Sequence, residues 1–293
     1  MTTKAGYFDW GVCMSTPATM QAATTHFSES GYVIFTSFCT GAETSSLRAQ
    51  ANKLIGDFHN ARPTSSPASV FTTEEQTRKM DAGYFLRSAS RISCFLEEKQ
   101  AGDDASPAIN KIGHALHDLD AVFGPFSRQE KVRAVAAALG VAPAVLVQSM
   151  YILKGARVGG KVTAHRDATF VRASEGVCLG YWWALQDADE ENACLWAVPG
   201  SHRDGREMKR FVRGEQGMVF EGQEDADAYP EDRYMALPMR EGDLVMLDGR
   251  VVHKSKENRS DKSRHAYSIH VVAGGLEERG WLRREEGFPF REL

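Results

Sequence analysis

From Val145 onward the chain breaks into six short apolar runs, VLVQSMYIL, VTAHRDATFV, VCLGYWWALQ, ACLWAV, DLVMLD and AYSIHVV, separated by Gly, Pro, Asn and Asp turn residues with no helical period between them. A parallel sheet needs a crossover of a dozen or more residues between strands, usually a helix. None is visible here, so these runs predict an antiparallel barrel or jelly roll. The first half reads as helical. Capping boxes at Thr40-Gly41-Ala42-Glu43 and Ser127-Arg128-Gln129-Glu130 precede apolar stripes of Leu47, Leu54 and Phe58, and of Val132, Val135, Ala136 and Leu139, the second stopping at Gly140. The expectation is a mainly β protein, a jelly-roll core flanked by helices mostly from the N-terminal half. It is a single domain over 1–293, with 1–15 as a flexible N-terminal extension. The segments ARPTSSPAS and EEKQAGDDASP read as surface loops.

Composition removes several function classes. With 35 basic and 39 acidic residues well mixed, net charge −4, there is no electrostatic footprint for nucleic acid. The five cysteines (Cys13, Cys39, Cys94, Cys178 and Cys194) are odd in number and contain no Cys-x-x-Cys pair, which argues against a disulfide framework and a zinc ribbon. No apolar run approaches the ~18 residues of a membrane span. The expectation is a cytoplasmic monomer acting on a small molecule.

Two motifs are discarded. GARVGGKV (Gly155 to Val162) falls one residue short of a phosphate-binding loop, and a strand pattern rather than a helix follows its lysine. His-Arg-Asp, which opens the catalytic loop of protein kinases, occurs at His165 and at His202 without a glycine-rich loop, strand lysine or Asp-Phe-Gly. The first copy is the better ligand pair. In a strand, residues i and i+2 share a face, so His165 and Asp167 would point inward together while Arg166 points outward. His202 follows Pro199-Gly200-Ser201 and Asp204 precedes Gly205, so turn chemistry replaces that alternation, and a loop hydrogen-bonding role suits Asp204. His253, behind an apolar strand and a turn, is the best third ligand. Two histidines and a carboxylate leave open positions on ferrous iron for a chelating cosubstrate and dioxygen. Arg264, at the entrance to HAYSIHVV, can grip a carboxylate bidentately, the logic of a 2-oxoglutarate site, although a solvated charge in KSKENRSDKSR is an equal alternative on these grounds.

With INKIGHALH, VQSMYI, HRDATF, NACLWAVPGSH and VVHKSKENRSDKSRHAY in this order, the chain resembles the phytanoyl-CoA dioxygenase family of iron(II)- and 2-oxoglutarate-dependent oxygenases from about Tyr32 to the C-terminus. The resemblance implies a double-stranded β-helix, a form of jelly roll. It makes His165, Asp167 and His253 the iron ligands, with Arg264 on the distal 2-oxoglutarate carboxylate and Lys111, Met150 and Trp182 as further cosubstrate contacts. The second His-Arg-Asp then lies in a Pro-Gly-Ser-His turn that binds no metal. Many relatives in the wider superfamily carry Arg-x-Ser at the anchor, whereas His265 and Ala266 follow Arg264 here. A second hydrogen bond to the carboxylate must then come from elsewhere.

The activity implied is hydroxylation of a small organic substrate, a lipid or acyl-CoA among the candidates, by dioxygen with release of succinate and CO2. Basic residues between Arg203 and Gly214 could attract an acyl-CoA phosphate, or form a solvated lid. Two other readings compete. A non-catalytic jelly-roll module binding a metal or carboxylate has no need of vacant iron positions. A zinc or manganese cupin would carry more, closely spaced histidines.

Overall fold

The computed structural model describes residues 5–61, 82–97, 108–215, 217–222, 229–282 and 288–293. In chain order the strands are β1 (Tyr7–Asp9), β2 (Tyr32–Thr36), β3 (Ile92–Leu96), β4 (Ile109–His114), β5 (Ala144–Lys154), β6 (Val162–His165), β7 (Cys178–Ala184), β8 (Leu195–Ala197), β9 (Arg210–Gly214), β10 (Gly217–Glu221), β11 (Met235–Leu237), β12 (Leu244–Asp248), β13 (His253–Ser255), β14 (Arg264–Ala273) and β15 (Arg291–Glu292). The helices are α1 (Trp10–Ser15), α2 (Pro17–Ser30), α3 (Gly41–Ala61), α4 (Ala82–Arg87), α5 (Leu116–Leu119), α6 (Phe123–Ser127) and α7 (Glu130–Ala138).

The large sheet runs β1-β2-β12-β7-β14-β5-β4-β3, with β15 added to β5; the small sheet runs β11-β8-β13-β6, and β9 and β10 form a separate hairpin. Every pairing is antiparallel except β1 with β2. The expected jelly-roll architecture is therefore present.

Alternation along the central strands assigns the two faces of the large sheet. Tyr151, Tyr267 and Trp183 stand in one cross-strand row and join the helix-side core with Phe27, Leu47, Val132 and Val135. Their sequence neighbours Ile152, Ala266 and Trp182 turn the other way, into a second core shared with Leu195 and Ala197 of the small sheet. One face thus packs on helices and the other encloses a cavity.

The first capping box forms as expected: Thr40 N–H donates to Glu43 Oε2 at 2.8 Å and Glu43 N–H to Thr40 Oγ1 at 3.3 Å, and Leu47 is buried below. The second does not. Gln129 is the N-cap of α7, while the Ser127 hydroxyl donates to the Phe123 carbonyl inside α6 and lies 2.7 Å from the Tyr267 hydroxyl. A preceding helical turn and a buried tyrosine compete for that hydroxyl and win. Gly140 follows α7 with φ 81°, the left-handed value that suits a helix stop.

The N-terminal expectation is also corrected. From Tyr7 the chain pairs with β2, and Trp10 packs on Phe35 and Phe38 at 5.5 and 4.7 Å between ring centroids. Residues 62–69 and 98–107 of the two expected loops lie outside the described residues. Among the described residues no helix is long and apolar enough to cross a membrane.

All five cysteines are free and buried, and burial pushes the Cys39 and Cys94 thiols up to about 12. Thiol titration should therefore be slow on the native protein and find five reactive groups after denaturation without reductant. A count of one or three would reveal a disulfide.

Candidate active site

The cavity between the sheets measures about 180 Å³ and brings together residues from β4, β5, β6, β7, β13 and β14. His165 ends β6 and His253 begins β13, and the two are directly paired across these strands. Their rings lie 4.3 Å apart, and each Nε2 is 3.7 Å from Asp167 Oδ1. The ligand atoms of His165, Asp167 and His253 lie within 4.8 Å of one another, the group of this kind found among the described residues. Histidine Nδ1 faces a backbone carbonyl in both cases, Thr163 at 2.8 Å and Val251 at 3.1 Å. A carbonyl can only accept, so a proton sits on each Nδ1 and each Nε2 is turned toward Asp167, the orientation in which it could serve as a metal ligand.

The route to this geometry differs from plain strand alternation. Strand β6 stops at His165, and Asp167 opens a one-turn 3-10 segment, Asp167–Thr169. Arg166 does not point outward. It is buried, donating to the Ser201 carbonyl at 2.9 Å, the Arg250 carbonyl at 2.5 Å and Asp204 Oδ2 at 2.7 Å. The arginine of the first His-Arg-Asp is thus held by the aspartate of the second, and the pair ties the ligand loop to the turn before His253. Asp204 also accepts from the Arg206 N–H and the Tyr229 hydroxyl. His202 faces the Ser28 carbonyl at 3.0 Å through Nε2. The second copy is a loop fastener, as turn chemistry suggested.

Two partners of Asp167 escaped the sequence analysis. His270 Nε2 lies 3.2 Å from Asp167 Oδ2. The signal was present, since Arg264, Ala266, Ser268 and His270 fall on one face of β14 at period two. Gly180 of β7 is the other: a Cβ there would sit 2.8 Å from Asp167 Oδ2 and 3.6 Å from His270 Nε2. A glycine inside an apolar strand run is the mark of such close approach. Burial by itself would raise the Asp167 pKa, but His270, His253 and His165 around the carboxylate hold it well below its usual range. It is an anion among imidazoles, suited to a divalent metal.

Arg264 starts β14 and is 1% exposed. Its Nη2 reaches Ser255 Oγ at 3.4 Å, its guanidinium carbon lies 5.1 Å from the Trp182 ring centroid, and Nε and Nη1 have no hydrogen-bond partner among the described residues. Burial pulls its pKa down to about 10, because a charge removed from water is penalised. The solvated-charge alternative is thereby removed. Lys111 on β4 also faces the cavity, its Nζ 5.1 Å from the Phe95 ring centroid, and burial pushes its pKa down to about 7. Met150 and Trp182 line the space between these cations and the triad. The donor set, two imidazoles and a carboxylate, fits ferrous iron, and the orphaned N–H groups of Arg264 fit the carboxylate of a chelating cosubstrate.

The basic residues between Arg203 and Gly214 divide: Arg203 and Arg206 are exposed, whereas those on β9 are tied down. Arg210 is paired with Glu221 and Glu277, Arg213 donates to the Trp281 carbonyl, and Phe211 and Val212 are buried.

Replacing His165 with Ala should abolish iron binding, whereas His202→Ala should retain it, as measured by metal analysis after anaerobic loading. Gly180→Ala should keep the fold by circular dichroism and weaken iron binding by roughly 10- to 100-fold, the usual effect of disturbing a ligand's support. Iron lost in His202→Ala but kept in His165→Ala would reverse the assignment of the two copies.

Known proteins resemble this chain over most of its length. The phytanoyl-CoA dioxygenase (PhyH) family profile matches residues 27–266. A phytanoyl-CoA dioxygenase of Arabidopsis thaliana is 40% identical over 84% of this chain and 86% of its own. The phytanoyl-CoA dioxygenase domain-containing protein 1 of Mus musculus is 36% identical over 91% of this chain and 96% of its own. Among solved structures, a non-heme alpha ketoglutarate dependent carbocyclase from nogalamycin biosynthesis superposes with a TM-score of 0.62 at 20% identity, covering 88% of this chain and 86% of its own. An epimerase solved with Fe3+, alpha ketoglutarate and nogalamycin RO gives 0.62 at 18% identity, covering 94% of each chain. Matched over most of its length by the family profile and by relatives well above 30% identity, the chain belongs to the phytanoyl-CoA dioxygenase family.

Proposed function

We propose that the protein hydroxylates a small organic substrate, with iron(II) held by His165, Asp167 and His253 and 2-oxoglutarate anchored by Arg264. The observation that carries this reading is the placement, on one cavity, of a two-histidine, one-carboxylate cluster and a buried guanidinium with two unpaired nitrogens. When bound, iron and 2-oxoglutarate supply the oxidation of a C–H bond by dioxygen, with release of succinate and CO2.

The chain's own residues supply position and exclusion. Nδ1 bonds to Thr163 and Val251 lock the imidazoles with Nε2 inward, and His270 holds the far oxygen of Asp167 so that Oδ1 faces the histidines. Arg264, lying over Trp182, takes the distal carboxylate. Lys111 adds a second positive charge, while Met150, Ile152, Leu195 and Leu247 keep water from the reacting centre. Full burial of Arg264 disfavours the module reading: a guanidinium stripped of solvent needs an anion, and the vacant metal positions beside it are what a chelating anion requires. The acyl-CoA suggestion draws on the family's name, and Arg210, one of the arginines that might have met its phosphates, is paired with Glu221 and Glu277.

Arg264→Ala should cost about 2–5 kcal/mol of 2-oxoglutarate binding, and Arg264→Lys should recover only part of it, because an ammonium cannot reproduce the fork. Anaerobic titration of the iron-loaded protein, followed by the charge-transfer absorption of the chelate, measures this. Changes below about 1 kcal/mol would mean that Arg264 does not hold the cosubstrate.

Lys111 makes a second, pH-dependent prediction. At pH 8 its ammonium is mostly deprotonated in the empty cavity, since its pKa lies near about 7. A bound dianion favours the charged form and raises the pKa, so binding takes up a proton. The affinity for 2-oxoglutarate should fall as pH rises above 7. Calorimetry in buffers of differing ionisation enthalpy should find proton uptake at pH 8 in the wild type and none in Lys111→Met. Equal uptake in both would assign the proton elsewhere.

A further inference from the structure

Beyond the metal cluster and the carboxylate anchor, the cavity wall holds groups that the proposed reaction leaves without a task. Phe85, Phe170, His114 and Trp281 line it. His114 is 1% exposed, and its ring meets those of Trp281 and Phe85 edge-on at 5.1 and 5.6 Å.

The proton on this imidazole can be placed. Ser88 Oγ lies 2.5 Å from the Phe85 carbonyl oxygen, a separation that two oxygens hold only with a proton between them. A serine hydroxyl has a single proton, so Ser88 donates to Phe85 and can only accept from His114 Nδ1, 2.7 Å away. Burial, with the charges of Lys111 and His270 nearby, holds the His114 pKa well below its ordinary value and the ring is neutral. Nδ1 therefore carries the hydrogen and Nε2 a lone pair. That Nε2 has no hydrogen-bond partner among the described residues, and neither does the indole N–H of Trp281. A buried acceptor and a buried donor, on adjoining rings, stand unpaired.

Leaving such groups unmet is costly, and a ligand that meets both recovers the loss. A single hydroxyl lodged between the two rings would meet both, its O–H donating to His114 Nε2 and its oxygen accepting from Trp281 Nε1–H. The aromatic walls call for an apolar body, and the cavity of about 180 Å³ must also admit 2-oxoglutarate, so that body is small. Resting on the oxygenase reading above, we propose that the substrate is a compact cyclic alcohol, its hydroxyl held between His114 and Trp281 and its ring against Phe85 and Phe170.

The probes are cyclohexanol and its methyl ether, which differ in the O–H donor. Their binding is measured by anaerobic calorimetry on full-length protein carrying iron(II) and 2-oxoglutarate. The alcohol should bind about 5- to 100-fold more tightly than the ether, the range for leaving a buried acceptor bare. In His114→Phe the preference should shrink to within about twofold, with the 2-oxoglutarate charge-transfer band unchanged. Ser88→Ala frees the imidazole proton to move to Nε2, and should erode the preference without removing the ring; it decides the matter if His114→Phe does not fold. Equal affinities in the wild type, a preference that survives in both variants, or no binding of either probe up to about 10 mM, with the band intact, would overturn the substrate proposal alone. Absence of the band from the wild type would overturn the oxygenase reading, and this inference with it.

Discussion

Strand β14 is hydrogen-bonded along both edges, to β5 and to β7, so its residues cannot shift without breaking two ladders. Its helix-facing side chains, Tyr267 and Ile269 among them, are part of the largest core. The opposite face carries Arg264, Ser268 and His270 into the cavity. The spacing between the Arg264 guanidinium and the His270 imidazole that contacts Asp167 is thus set by the rise of a strand, ~3.3 Å per residue, in the middle of a packed sheet. A site built this way is positioned by the interior and not by loops.

Asp167 depends on that strand from one side and on the Arg166–Asp204 pair from the other. Arg166 is buried with its guanidinium spread over two carbonyls and a carboxylate, which anchors the short turn between the two ligands of the first His-Arg-Asp. Removing Asp204 would take a carboxylate partner from the buried Arg166 guanidinium. The second His-Arg-Asp therefore matters to the metal cluster through Asp204, although it offers no ligand. Gly180 completes the support by leaving the space that Asp167 occupies.

Much of this was legible from the residues. Six turn-separated apolar runs were enough for an antiparallel double sheet, and the Thr40–Glu43 box marked the start of α3. The structure gathers His165, not His202, with Asp167 and His253, but by a route other than the one read from the sequence: the strand ends at His165, and a 3-10 turn, not alternation, brings Asp167 inward. That turn depends on Arg166 finding partners at Ser201 and Arg250, contacts that no local pattern encodes. Ser127 was misread because a capping hydroxyl and a core hydroxyl look alike until Tyr267 arrives from far along the chain. The three residues of β1 are too short to show a period, and their place comes from pairing with β2. His270 could have been found by extending the period-two argument past Arg264. The orphaned nitrogens of Arg264, His114 and Trp281 could not, because an unmet hydrogen bond is a property of the assembled interior.

The central claim is that one cavity holds iron at His165, Asp167 and His253 and the far end of 2-oxoglutarate at Arg264. Crystals grown anaerobically with iron(II) and 2-oxoglutarate, with data collected on both sides of the iron absorption edge, test it most directly. The account predicts a single iron peak among the Nε2 atoms of the two histidines and Oδ1 of Asp167, with cosubstrate density running from it to the Arg264 guanidinium. A peak at His202, or cosubstrate density that leaves Arg264 unpaired, would contradict it.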